Sequence, residues 1–123
     1  MPYSVSFNKD DGFITVRVSG KVHHNEHFAA YEEALRLSQE HMCSRMLVDL
    51  RELNTGRSST VECFLFGESV AGTSTCLRIA HVMPTDAKSK EDVEFTSTVE
   101  ANRGVLTGMF ETIDEAKKWL LIR

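Results

Sequence analysis

The chain has no basic run. Its 14 Lys and Arg are scattered among 18 Asp and Glu, for a formal net charge of -4. Without a positive stripe there is nothing to track a phosphate backbone or dock on anionic lipid, which argues against a nucleic-acid role and a polybasic membrane contact. No apolar stretch approaches the roughly 20 residues that a membrane span needs. The opening segment MPYSVSFNKDDG has neither a charged n-region nor an apolar h-region, so no secretory leader is expected. Cysteine is scarce. Cys43, Cys63 and Cys76 are odd in number, far apart and without a C-x-x-C, the pattern of reduced cytoplasmic thiols rather than a disulfide framework. A Gly-rich phosphate loop, an internal repeat and a linker are also missing.

What is present suffices for one domain, residues 1–123, since 123 residues with 41% hydrophobic content bury a core without metal or disulfide staples. Tyr3, Val5 and Phe7 alternate with polar residues, as do Ile14, Val16 and Val18, and Asp10-Asp11-Gly12 between them predicts an antiparallel hairpin. Asn25 is the expected N-cap of a first helix whose apolar stripe is Phe28, Tyr31, Leu35, Ser38 and Met42. Met46-Leu47-Val48-Asp49-Leu50 reads as a strand buried on both faces of a mainly parallel sheet. Ser59 and Glu62 have capping-box spacing at the start of a second helix. Leu77 to Val82 is the next strand, stopped by Pro84. A helix over Lys88 to Asn102, with Phe95 and Val99 on one side, ends at Gly104. Val105 to Phe110 is the last strand, with Gly108 weakening it or marking a bulge. Thr112 and Glu115 then cap a helix that turns Ile113, Ala116 and Leu120 inward, with Trp119 beside them. The order β-β-α-β-α-β-α-β-α predicts an α/β fold, a mixed, mostly parallel five-stranded sheet covered by four helices.

The segment from Ser44 to Gly72 is the expected functional edge, because a helix starting at the carboxyl end of a central strand is where open α/β sheets place ligands. Ser58, Ser59 and Thr60 stand at that helix start with Arg57 before them, a candidate phosphate or anion site; the same hydroxyls equally serve as plain caps. Asp49, a carboxylate inside a buried strand, either serves that loop or is a satisfied structural group. The second helix is apolar on two sides. Val61, Phe64, Leu65 and Ala71 fall on one, and Cys63, Phe66 and Val70 on the other. One stripe is enough to cover a sheet, so the expectation is that Cys63, Phe66 and Val70, with Phe95, form an interaction or lipid surface. Its occupant would be a dimer mate, a target protein, a lipid or a loop of the same chain; cover by neighbouring helices is the alternative.

Catalytic constellations are not expected. His23, His24 and His27 form H-H-x-x-H, but no third or fourth zinc ligand is nominated. Cys76 and His81 lie on one strand without an orienting third group. Cys43 and Cys63 read as small apolar fillers. No cofactor and no metal are implied.

The element order together with Gly12-Phe13-Ile14-Thr15-Val16, Leu47-Val48-Asp49-Leu50-Arg51, Asn102-Arg103-Gly104 and the tail Asp114-Glu115-Ala116-Lys117-Lys118-Trp119-Leu120 resembles the STAS domain of anti-sigma-factor antagonists. The closer resemblance is to its SpoIIAA-like branch, often grouped with the CRAL-TRIO lipid-carrier fold, and it covers essentially the whole chain. It implies a non-enzymatic module. In that family an Asp-Ser-Ser-Gly turn opens the second helix and its Ser is phosphorylated to break partner binding. Here the region reads Asn54-Thr55-Gly56-Arg57-Ser58-Ser59-Thr60, without that Asp and Gly, and Ser58 is the closest positional match. Two functions follow. One is a regulatory protein-interaction module that uses the loop and second helix, with a protein partner or a homodimer mate. The other is a cytoplasmic or membrane-peripheral carrier that holds an apolar molecule or lipid between the second and third helices and the sheet.

Overall fold

The alternating N-terminal residues form a hairpin. In the computed structural model, which describes residues 2–56, 59–73 and 78–122, β1 (Tyr3–Asn8) runs antiparallel to β2 (Phe13–Lys21). Asn8 Oδ1 accepts the Asp10 N–H at 2.9 Å, and Gly12 takes φ +76°, which would strain a side chain. Beyond the hairpin come α1 (His24–His41), β3 (Arg45–Asn54), α2 (Thr60–Thr73), β4 (Arg78–Val82), α3 (Ala87–Asn102), β5 (Thr107–Phe110) and α4 (Ile113–Leu120). Strands β2 to β5 pair in parallel, and the sheet order is β1-β2-β3-β4-β5. This is the predicted α/β architecture.

Three consecutive crossovers step the same way across the sheet, and the right-handed rule then puts α1, α2 and α3 on one face. Strand alternation divides the core to match. Ile14, Val16, Met46, Leu50 and Ile79 pack with Ala30, Tyr31 and Ala34 of α1, Val70 of α2 and Val93 of α3. Phe13, Leu47, Ala80 and Val82 point the other way, against Ala116 and Leu120 of α4. Arg78 anchors the end of α4 by donating to the carbonyls of Trp119, at 2.9 Å, and Ile122.

Three local expectations change. The N-cap of α1 is His23 rather than Asn25, because the Glu26 carboxylate reaches back to the His23 N–H at 2.9 Å. Met42 is off the buried stripe: it ends α1 in a left-handed turn (φ 50°) and is 92% exposed. Ala30 and Ala34 take the seam instead, since small side chains let a helix lie close to the strands. Gly108 marks no bulge. It pairs in regular register with Ala80, and a Cβ there would stand 2.7 Å from the Phe110 ring, which lies over it beside Trp119. The bulge is in β3, where Arg17 opposes Asp49 but Ser19 already opposes Glu52. Its extra residue brings Leu53 back to the same face as Leu50.

Candidate functional site: a cavity under the second helix

Helix α2 begins as its sequence dictates. Ser59 Oγ accepts the Glu62 N–H and Glu62 Oε1 accepts the Ser59 N–H, both at 3.1 Å, a reciprocal capping box. From there α2 packs on α3 and touches α1, its backbone farther from the strands than that of α1 or α4, while Val70 reaches down into the core. The contact with α3 depends on Gly67, where a Cβ would meet the Thr96 carbonyl and Val99 Cβ at 3.0 Å. Arg103 reinforces it, ion-paired to Glu68 at 3.4 Å with its guanidinium 5.2 Å from the Phe64 ring centroid. Toward α1, Phe66 meets Phe28 edge-on (5.3 Å, 82°) and Tyr31 likewise (6.2 Å, 82°). The Tyr31 hydroxyl donates to the Val70 carbonyl at 3.3 Å.

A helix braced by its neighbours and held off the sheet leaves space below it. That space is a cavity of about 110 Å³ between the sheet and α1, α2 and α3. The strands supply its floor with Val16, Met46, Val48, Leu50 and Ile79, and the helices close over it with Ala30, Phe66, Val70 and Val93. Val48, in the middle strand of five, is only half-buried although its neighbours Met46 and Leu50 are buried. A helix seated on the sheet would have sealed it. The rim toward the α3 N-terminus is polar. Thr55 donates its N–H to Ser89 Oγ (2.9 Å) and its hydroxyl to Asp92 (2.7 Å), and Lys88 pairs with the same carboxylate at 2.7 Å. Cys63 also lines the cavity, and burial, then the Asp92 charge, raise its thiol pKa. A protonated, half-buried thiol packs as an apolar group.

Two polar side chains interrupt the apolar wall. His81 of β4 is buried at the carboxyl half of its strand, and Glu100 of α3 is 2% exposed. Their nearest atoms, His81 Nε2 and Glu100 Oε1, are 3.7 Å apart, and neither His81 Nδ1 nor Glu100 Oε1 has a hydrogen-bond partner. Burial pushes the Glu100 carboxyl up to about 8 and, against an opposing contact with the Gly108 backbone, the His81 imidazole down to about 4, so both are uncharged at neutral pH. Glu100 also sits in the last turn of α3, where the helix dipole disfavours a negative charge. Neither residue was singled out as a cavity group from sequence. The available signal was weak: an ionisable residue amid the apolar run Ile79 to Met83, and a Glu one position from Val99 on a poorly amphipathic helix.

The residues expected at the site are distributed as follows. Cys63, Phe66 and Val70 line the cavity together, so they face inward; Val70 is buried and Phe66 packs on the core. The exposed apolar side chains of α2 are Val61 and Leu65, 65% and 46% exposed. Both stripes of α2 are apolar, and the one that turns inward is the one that can interlock with the α1 aromatics. Phe95, one turn before Val99, is 38% exposed at the edge of α3, whereas Val99 is buried against α2. Asp49 is turned away from the α2 turn, onto the α4 side of the sheet. Its carboxylate takes Arg51 Nε and Nη2 at 3.0 and 2.9 Å and the Arg51 N–H at 3.2 Å, at the bulge itself. Burial raises its pKa, but the Arg51 hydrogen bonds and charge outweigh this and leave the carboxyl below its ordinary range. It is a satisfied structural carboxylate. Ser59 is engaged as the cap and Thr60 is exposed, while Arg57 and Ser58 lie outside the described residues, as does Cys76. His27 lines the cavity, its ring 5.7 Å from Phe66.

Among the described residues, no helix is long and apolar enough to cross a membrane. No protein-family profile matches the chain, and no curated protein matches it in sequence. Among solved structures it is similar to an uncharacterised protein of the DUF3478 family with a SpoIIAA-like fold from Shewanella loihica PV-4. That similarity has a TM-score of 0.58 at 14% identity and covers 96% of this chain and 91% of the other. The chain therefore has a SpoIIAA-like fold, carried over nearly its whole length, with the cavity described above between its sheet and its three-helix layer.

Proposed function

We propose that this domain is a non-enzymatic binding module that holds a small apolar molecule beneath α2. One observation carries the reading: α2 is braced on α3 and α1 but held off the sheet, leaving about 110 Å³ of largely apolar space in the middle of a small domain. Protein interiors are close-packed, and an apolar space of this size that reaches solvent at Val48 leaves surface wet that a bound molecule would cover. Apolar cavities only slightly larger take up one-ring hydrocarbons. Binding would lift Phe66 against Phe28 and Tyr31 and close Val48 off from solvent.

Solvent extraction of the purified protein followed by mass spectrometry tests this, together with an NMR titration by toluene. A co-purifying apolar compound, or saturable toluene shifts centred on Val48, Phe66 and Val93, is the expected result. Val48→Phe, which fills the space, should abolish either one. An empty extract together with no toluene shifts overturns the reading.

The SpoIIAA-like fold also favours a second reading at the level of the fold, a regulatory protein-contact module of the anti-sigma-factor-antagonist kind. Its support is the exposed pair Val61 and Leu65 beside the α2 cap, with Arg57, Ser58, Ser59 and Thr60 as the candidate phosphate site and Phe95 on the neighbouring helix. Here the partner is a protein or a second copy of the chain. Light scattering on the wild type and on a Val61→Glu, Leu65→Glu variant tests self-association: a dimer lost in the variant supports it. A kinase assay that leaves Ser58 and Thr60 unmodified counts against the switch.

A further inference from the structure

The His81–Glu100 pair narrows what the cavity takes, an inference that rests on the proposed binding role of that space. Both side chains line the cavity, both are more than nine-tenths buried, and each keeps a polar atom without a partner. Buried polar atoms are nearly always satisfied, so two orphans on one cavity wall mark a place where something polar is missing. We infer that the cavity binds a neutral, one-ring-sized apolar molecule that carries a hydroxyl group, with the hydroxyl held between Glu100 and His81.

The chemistry selects against the alternatives. A carboxylate ligand would meet Glu100 and, at the rim, Glu62 and Asp92, and among the described residues no Lys or Arg lines the cavity, Lys88 being paired to Asp92 beside it. An ammonium would have to form a buried ion pair with Glu100, and such pairs barely recover their desolvation cost. A plain hydrocarbon leaves both orphans as they are. A hydroxyl donates once and accepts twice, so a single oxygen serves a carboxyl and an imidazole together. Glu100 Oε1 lies 3.7 Å from His81 Nε2, so an oxygen that hydrogen-bonds to a slightly turned Glu100 carboxyl also comes within reach of the imidazole. Glu100, protonated because of its burial, can donate to that oxygen, and the hydroxyl then faces the Nε2 edge of the His81 ring, Nδ1 being the nitrogen on its other side.

The experiment compares phenol, toluene and benzylamine by protein NMR titration at pH 6.5, on the wild type, Glu100→Gln and Glu100→Leu. Phenol and toluene are nearly the same shape, but phenol gives up more hydration, so a purely apolar cavity prefers toluene. The expected result is that phenol binds the wild type at least as tightly as toluene. Glu100→Leu should weaken phenol by about tenfold, the value of a well-made hydrogen bond, and leave toluene unchanged or tighter. Glu100→Gln, which still hydrogen-bonds, should retain phenol. Toluene binding to each variant reports that its cavity is intact. Toluene binding without phenol overturns the inference and leaves the apolar cavity standing. Benzylamine binding more tightly than phenol replaces it with a cation site. Binding of none of the three removes the inference, and together with an empty solvent extract it removes the reading beneath it as well.

Discussion

His81 and Glu100 stand 3.7 Å apart inside the three-helix face, neighbours on one wall but too far apart for a hydrogen bond. Folded, Glu100 keeps its proton to about pH 8 against an ordinary 4.5, so between those values the folded state binds one proton more than the unfolded chain. Stability then falls as pH rises through this window. His81 acts in the opposite direction: it titrates near 4 folded and 6.5 unfolded, so its penalty grows as pH falls below 6.5. Above pH 6.5 only the Glu100 slope remains. Thermal unfolding between pH 6.5 and 8.5 should show the wild type losing on the order of a few kcal/mol that Glu100→Gln keeps. Parallel curves for the two proteins would show that the carboxyl is not held protonated.

Gly67 sets the distance between α2 and α3. Gly67→Ala puts a methyl group 3.0 Å from a backbone carbonyl and from Val99 Cβ, neither of which can swing aside. The helices must separate, at a cost of about 1–3 kcal/mol, read as a lower urea midpoint. A loss below about 0.5 kcal/mol would mean that the interface has slack.

Asp49→Asn removes the two-pronged contact with Arg51 while keeping the side chain's size. Arg51 is about half exposed, so water screens the pair and the expected loss is about 1–2 kcal/mol. Because the Asp49 pKa is lowered in the folded state, its contribution is present at neutral pH and is lost as pH falls through that lowered value. Toluene binding should not change, since the residue is on the α4 side of the sheet. Altered ligand binding would tie Asp49 to the cavity after all.

Ser59→Ala removes the hydroxyl that accepts the Glu62 N–H and should cost about 1 kcal/mol in chemical denaturation, with Ser59→Asp restoring most of it. An Ala variant as stable as wild type would free Ser59 for a role other than capping.

Much of the fold was legible because it is written locally. The period of two in Tyr3, Val5 and Phe7, the Ser59/Glu62 and Thr112/Glu115 caps, and the stops at Pro84 and Gly104 each act within a few residues. Met42 on the buried stripe and a bulge at Gly108, one of the two readings of that glycine, fail for the same reason. Met42 keeps the helical spacing of the stripe, but the chain leaves the helix at that residue. Gly108 has the composition of a bulge, but what it answers to is the Phe110 ring lying over it.

The sequence by itself determined the order of strands and helices. The sheet order β1-β2-β3-β4-β5, which only the tertiary structure shows, then put α1, α2 and α3 on one face through right-handed crossovers, with α4 packed on the other. The sequence did not decide which face of α2 turns inward, because Val61/Leu65 and Phe66/Val70 are both apolar and a helical period cannot choose between equal stripes. Tertiary contacts made that choice: Gly67 against Val99 on one side, and Phe66 against Phe28 and Tyr31 on the other. The same contacts hold α2 away from the sheet, open the cavity beneath it, and bring His81 and Glu100, 19 positions apart in sequence, onto one wall. Such a meeting depends on the packing angle of a whole helix, a quantity to which no short stretch of residues corresponds.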